Sequence, residues 1–177
     1  MRLWTLQAPE VVRTLRATGV YRADWSLVIV NWKPAFADMV AEMERRGIAC
    51  HDAPPVWCWT VYSPFNQTAT SLLGYPDWIH GRWLLTLDVP DALTLPTSYA
   101  VWNDYLAYTM GSADEPSTMD WSGRRVWKYD ELQVTIPELR LEWVLRAAEY
   151  HPDPETAAAA AKWEKEYEEY LRAQNSP

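Results

Sequence analysis

The chain has 177 residues, 49% of them hydrophobic, which is enough for one well-buried core and short for two. With 16 basic residues against 24 acidic ones the net charge is −8, which opposes the counterion release that drives nucleic-acid binding, so no direct nucleic-acid partner is expected. No run of about 18 apolar residues is present, so no membrane partner is expected, and the opening residues are amphipathic where a leader would be charged and then apolar; the expected location is cytoplasmic.

In chain order, RLWTLQ (Arg2 to Gln7) reads as a short strand, and Pro9 suits the first position of a helix that carries Val11, Val12 and Leu15 and stops at Gly19. A second helix starts at Lys33-Pro34, with Phe36, Met39, Val40 and Met43 on one face, and ends near Arg45, Arg46 and Gly47. Pro54-Pro55 precedes a strand from Val56 to Tyr62, then a polar loop. Gly81 opens RWLLTLDVP, an alternating strand that Pro90 stops. Thr97 or Ser98 caps a short helix carrying Trp102 and Leu106, and residues Gly111 to Ser122 read as a loop. Val126 to Tyr129 and Glu131 to Ile136 are predicted strands, with Leu139 to Ala147 a strand or a short helix. In the tail, Pro154 begins an alanine-rich helix with Trp163, Tyr167, Tyr170 and Leu171 on one stripe.

These elements predict a single α+β domain over residues 1–150, with a mostly antiparallel, twisted sheet and two N-terminal helices packed on it. Residues 151–177 form a helix that packs on this domain or on a partner.

The residue usage is uneven, with 12 Trp and 10 Tyr against 2 Phe. Both rings join a large apolar body to a polar handle, which suits a core and a planar-ligand pocket alike. Cys50, His51 and Cys58 lie close together but fall short of the four ligands a structural zinc site needs, so no metal is expected, and the two cysteines are expected to remain thiols. The segment Glu131 to Ile136 alternates Leu132, Val134 and Ile136 with Glu131, Gln133 and Thr135, which puts a carboxylate and an amide on one face of a strand. That face either meets solvent, with Arg124 and Arg125 near as ion-pair partners, or meets a ligand.

MRLWTLQ, PVWCW, LLTLDVPDALTLPTSYAVWNDYL and VWKYDELQVTIPELRLEWV, in this order between Met1 and Arg146, resemble a bacterial and phage domain of unknown function, DUF3841. That resemblance supplies no activity. RLWTLQAPEVVRTLRATGVY and DELQVTIPELRLEWV are also similar to the two ends of the ADP-ribosyltransferase fold, a strand followed by a helix closed by glycine, and a last strand carrying Glu. The second resemblance implies a split sheet, NAD as substrate and transfer of ADP-ribose to a macromolecule. Breaking the nicotinamide–ribose bond builds positive charge on the sugar, and a fixed carboxylate stabilises it; the resemblance gives that role to Glu131. It makes Arg2, Thr5 and Gln7 contacts for ribose or phosphate, and Trp59 and Tyr62 stacking rings for the nicotinamide. Two features depart from the pattern. LWTLQ offers Thr5 and Gln7 where many members place His and Gly-Thr, and Glu-Leu-Gln allows Gln133 to take the carboxylate's position, in which case the site binds without catalysing. The alternative reading is a non-catalytic phage or defence protein that holds an intracellular protein partner through a Trp/Tyr-rich surface.

Overall fold

The computed structural model describes residues 1–60, 81–128 and 130–151, and in the tail Pro154, Ala158, Ala161, Lys162, Lys165, Glu166 and Arg172, all of them helical. Val61, Tyr62, the polar loop after them and the tail's aromatic stripe lie outside the described residues.

Strand β1 (Arg2–Gln7) buries Leu3, Trp4 and Thr5 in succession, which is the mark of a strand covered on both faces. It pairs antiparallel with β4 (Arg82–Asp88) along its whole length, from Arg2 opposite Asp88 to Gln7 opposite Trp83. On its other side stands β3 (Val56–Trp59), and beyond β3 come β6 (Leu132–Ile136) and β5 (Leu95–Ser98), while β8 (Val144–Tyr150) flanks β4. The order β5-β6-β3-β1-β4-β8 is antiparallel throughout. A separate ladder joins β2 (Val20–Tyr21) to β7 (Leu139–Arg140).

The sheet carries a different cover on each face. Helix α1 (Pro9–Thr18) packs Val11, Val12 and Leu15 against Leu3, Cys58, Leu85, Leu87, Val134 and Ile136. The opposite face of β5, β6 and β3 lies under α2 (Lys33–Arg45) and α3 (Tyr99–Thr109), which contribute Phe36, Met39, Met43, Trp102 and Leu106. The chain is thus a single α+β domain with a mostly antiparallel sheet.

The helix ends follow from the residues at them. Pro9 starts α1, and Gly19 ends it at φ 80°, a left-handed conformation that costs glycine nothing, with its N–H donating to Leu15 O at 2.9 Å. At α3 the Ser98 hydroxyl accepts from Val101 N at 3.1 Å and donates to Asp130 Oδ2 at 2.7 Å. Asp130, 4% exposed, also accepts from Ala100 N at 3.1 Å and Val126 N at 3.0 Å, so one buried carboxylate fixes the helix start and the approach to β6.

Three segments differ from expectation. Residues Val126–Lys128 form no strand, because the Val126 N–H bonds the Asp130 side chain in place of a neighbouring strand; Val126 and Trp127 are exposed. The edge position beside β6 belongs to β5, which Pro96 hides in the sequence, since proline is tolerated only where one side of a strand is unpaired. Leu139 to Ala147 divides between β7, a single helical turn at Leu141–Trp143, and β8.

Buried carboxylates tie the periphery down. Glu138, 2% exposed, meets Arg22 Nε at 2.7 Å and Arg140 Nε at 2.6 Å; burial raises its pKa, and the two guanidiniums outweigh burial and hold it below the usual value. Glu42 near the end of α2, 8% exposed, meets Arg45 and Arg46, each at 2.7 Å. Its hydrogen bonds to Arg45 take its pKa down from 4.5 to about 2 against the opposing effect of burial, with Arg46 adding to the fall. Because the folded pKa is the lower one, this stabilisation is complete above pH 4.5 and is lost as pH falls toward 2. Arg45 is 69% exposed and Arg46 36%, so solvent screening reduces it to about 1 kcal/mol or less. Acid unfolding of Glu42→Gln, followed by circular dichroism, is expected to start from a lower stability at pH 6 and to be shallower between those limits; an unchanged profile contradicts this assignment.

Candidate functional site

The sheet opens between β1 and β3. Among the described residues the two strands share one Cα pair, Trp4 opposite Trp59, although β1 runs on to Gln7 and β3 begins at Val56. Past that pair the ladder is replaced by a side chain: Thr5 Oγ1 donates to Trp57 O at 2.7 Å and accepts from Gln7 Nε2 at 2.8 Å. The Thr5 hydroxyl therefore spans the gap and keeps the parted strands tied together.

A cleft of about 400 Å³ lies at this split. Thr5, Leu6 and Gln7 form one wall, and Val56, Trp57 and Trp59 the other. Tyr99, Trp102 and Asn103 of α3, with Trp32 and Phe36 around the start of α2, close the sides. The rings hold one another in place. Trp57 and Trp102 have centroids 4.8 Å apart, Phe36 meets the edge of Trp57 at 5.5 Å, and Trp59 lies 5.4 Å from Tyr99 and 6.2 Å from Trp4. Such contacts fix ring orientation before any ligand arrives.

The polar groups at this end of the sheet are poorly satisfied. Gln133 Nε2, Trp57 Nε1, Thr97 Oγ1 and Glu131 Oε2 are sealed from solvent with no hydrogen-bond partner among the described residues. Gln133 stands opposite both Trp59 and Thr97, so its amide, the indole of Trp57 and the Thr97 hydroxyl belong to one face of three adjacent strands. Each such group costs about 1–3 kcal/mol, and ordinary core packing leaves few of them.

Of the residues singled out in the sequence, Thr5, Gln7, Trp59 and Gln133 meet on the cleft wall. Glu131 is half-buried and absent from that wall; its backbone oxygen accepts from Tyr99 N at 2.9 Å, which sets it at the foot of α3. Arg2 is exposed at the far end of β1, opposite Asp88 and away from the cleft. Tyr62 lies outside the described residues. The polar face of β6 is neither open to water nor wholly at the cleft, for Thr135 is covered by α2, its hydroxyl 3.4 Å from Leu95 O and 3.5 Å from Met39 Sδ.

Trp57, Trp102, Phe36 and Tyr99 escaped the sequence reading as cleft residues. Their helical or strand spacing signals burial, and nothing in spacing separates a ring that fills a core from one that edges a hollow. Asp130 escaped as well, because a buried capping carboxylate 32 residues from Ser98 leaves no local pattern.

The two cysteines are free and buried. Burial, with Glu44 adding, raises the Cys50 thiol to about 11, and burial raises Cys58 further, against the lowering effect of a hydrogen bond with Thr5, so neither supplies a thiolate at neutral pH. Among the described residues no three His, Cys, Asp or Glu side chains gather in a group able to hold a metal ion, and no helix is long and apolar enough to cross a membrane. No family model, curated protein or solved structure matches the chain.

Proposed function

We propose that this is an ADP-ribosyltransferase-like protein that binds NAD in the cleft between β1 and β3, with Gln133 as a polar contact, and that it binds without transferring ADP-ribose. The observation that carries this reading is the split itself: a ring-lined hollow opens where β1 leaves β3, with a buried amide nitrogen on its wall that has no hydrogen-bond partner among the described residues. The rings suit a planar base, and an unpartnered donor suits a ligand's carbonyl or hydroxyl oxygen. Transfer needs a carboxylate against the sugar as positive charge develops there. Gln133 is the residue of that strand that reaches the wall, an amide holds no negative charge, and Glu131 sits off the wall. The choice of NAD comes from the sequence resemblance of the chain's two ends to the ADP-ribosyltransferase fold; the resemblance to DUF3841 adds no activity to it.

The test is a titration with NAD followed by tryptophan fluorescence, together with an assay for released nicotinamide. Saturable quenching with no nicotinamide release is expected, and Glu131→Gln is expected to leave affinity unchanged. Absence of binding at millimolar NAD would end this reading. Release that vanishes in Glu131→Gln would restore Glu131 as the catalyst.

One observation favours the alternative of a protein-binding module. Leu27, Ile29 and Val30 are 72%, 56% and 74% exposed on the segment between β2 and α2, a run of aliphatic side chains in open water. This surface is aliphatic; of the aromatic residues, Trp4, Trp59, Trp102 and Trp143 are buried, whereas Trp127 and Tyr108 are exposed. On that reading NAD fails to bind while Leu27→Ser with Val30→Ser abolishes a partner complex.

A further inference from the structure

Two of the sealed polar atoms at the split end of the sheet belong to residues that wall the cleft: the amide nitrogen of Gln133 and the indole nitrogen of Trp57. Gln133 is 2% exposed, and neither N–H group has a hydrogen-bond partner among the described residues. Both are donors. Water does not reach them and the surrounding protein does not satisfy them, a state that folded interiors rarely keep.

The strand register brings the two together. Gln133 on β6 stands opposite Trp59 on β3, and Thr135 stands opposite Trp57, so Trp57 and Gln133 are diagonal neighbours on one face of adjacent strands. Diagonal pairs lie about 7–8 Å apart, within reach of aromatic and long side chains. One ring in the cleft can therefore meet both. The indole is held from two sides, with the Trp102 centroid 4.8 Å away and the Phe36 ring meeting it edge-on at 5.5 Å. The Gln133 amide turns about its last torsion, which is broad and inexpensive to rotate.

The two groups ask for related chemistry. An indole N–H only donates, whereas an amide donates from one end and accepts at the other. Trp57 thus requires an acceptor, and Gln133 takes an acceptor alone or an acceptor beside a donor. Ring faces in the cleft select a flat ligand, and the N–H groups select what its edge carries.

We propose that Trp57 and Gln133 together read the acceptor edge of a planar ring in the cleft, which makes Trp57 a specificity-determining residue. Because both N–H groups are sealed from solvent, they turn toward the ring as it enters. For the identity of the ligand this rests on the reading that the cleft takes NAD. That dinucleotide carries two such edges, the ring nitrogens of adenine and the carboxamide oxygen of nicotinamide.

NMR of the nitrogen-labelled full chain tests the proposal, with the Trp57 indole and Gln133 side-chain amide resonances assigned by triple-resonance experiments so that no folded variant is needed. Saturating NAD is expected to move both resonances downfield. Adenosine and nicotinamide, added separately, identify the ring, since the one that moves both resonances is the one the cleft holds. Trp57→Phe keeps a ring and loses the N–H; it is expected to weaken NAD binding about tenfold by isothermal titration, with the Gln133 resonance still moving because the second donor remains. NAD binding that leaves the Trp57 or the Gln133 resonance unmoved overturns the proposal while the reading of the cleft stands, and so does Trp57→Phe binding NAD as tightly as the parent protein. If NAD fails to bind while adenosine or nicotinamide moves both resonances, the donor pair stands and the reading of the cleft fails. If none of the three moves them, the proposal is overturned.

Discussion

Asp130→Ala is expected to lower the thermal midpoint by roughly 5–15 °C, corresponding to about 2–4 kcal/mol. The buried carboxylate accepts from the Ser98 hydroxyl, Ala100 N and Val126 N at once, and the buried Ser98 hydroxyl is left without its acceptor when it is removed. Ser98→Ala alone removes one acceptor from Val101 N and one donor to Asp130, so it is expected to cost less, and the double substitution to cost less than the sum. Because Tyr99, Trp102 and Asn103 on the same helix form a side of the cleft, NAD affinity is expected to fall with the loss of order at its first turn. Calorimetry showing a midpoint within about 2 °C of the parent protein would remove Asp130 from the account of how α3 is placed.

Gln133→Leu is expected to act in two opposite directions. The amide nitrogen is buried without a partner among the described residues, so replacing it with an apolar group of similar size removes an uncompensated polar atom and is expected to raise stability by about 1 kcal/mol. The same change deletes the polar contact on the cleft wall and is expected to weaken NAD binding about tenfold or more. A packing residue shows the reverse, lower stability with affinity following it. Urea unfolding and fluorescence titration on one preparation separate the two, and a destabilised variant with unchanged affinity would show that Gln133 belongs to the core and not to a site.

The sequence revealed the elements whose signals are local. Pro9 and Gly19 frame α1 by fixing backbone angles, and Arg82–Asp88 reads as a strand because its side chains alternate. Elements set by distant partners were not legible. Leu95–Ser98 became a strand because the edge of β6 was free to receive it, and Val126–Lys128 did not because Asp130 captured the Val126 N–H. The candidate site divides in the same way. Thr5, Gln7 and Trp59 were singled out by the resemblance to the ADP-ribosyltransferase fold, and Gln133 by the alternation of side chains along its strand. Where β1 would leave β3 was not reachable, for it depends on the Thr5 hydroxyl bonding the Trp57 carbonyl in place of a ladder partner. Gln133 lines the hollow through its place opposite Trp59 and Thr97, while Glu131 is absent from its wall.

Hydrogen–deuterium exchange with and without saturating NAD tests the binding of a planar ligand at the strand split most directly. Protection is predicted in Thr5–Gln7, Val56–Trp59 and the first turns of α3, the segments whose side chains wall the cleft. Exchange unchanged in all three, or protection confined to the exposed run from Leu27 to Val30, would contradict it.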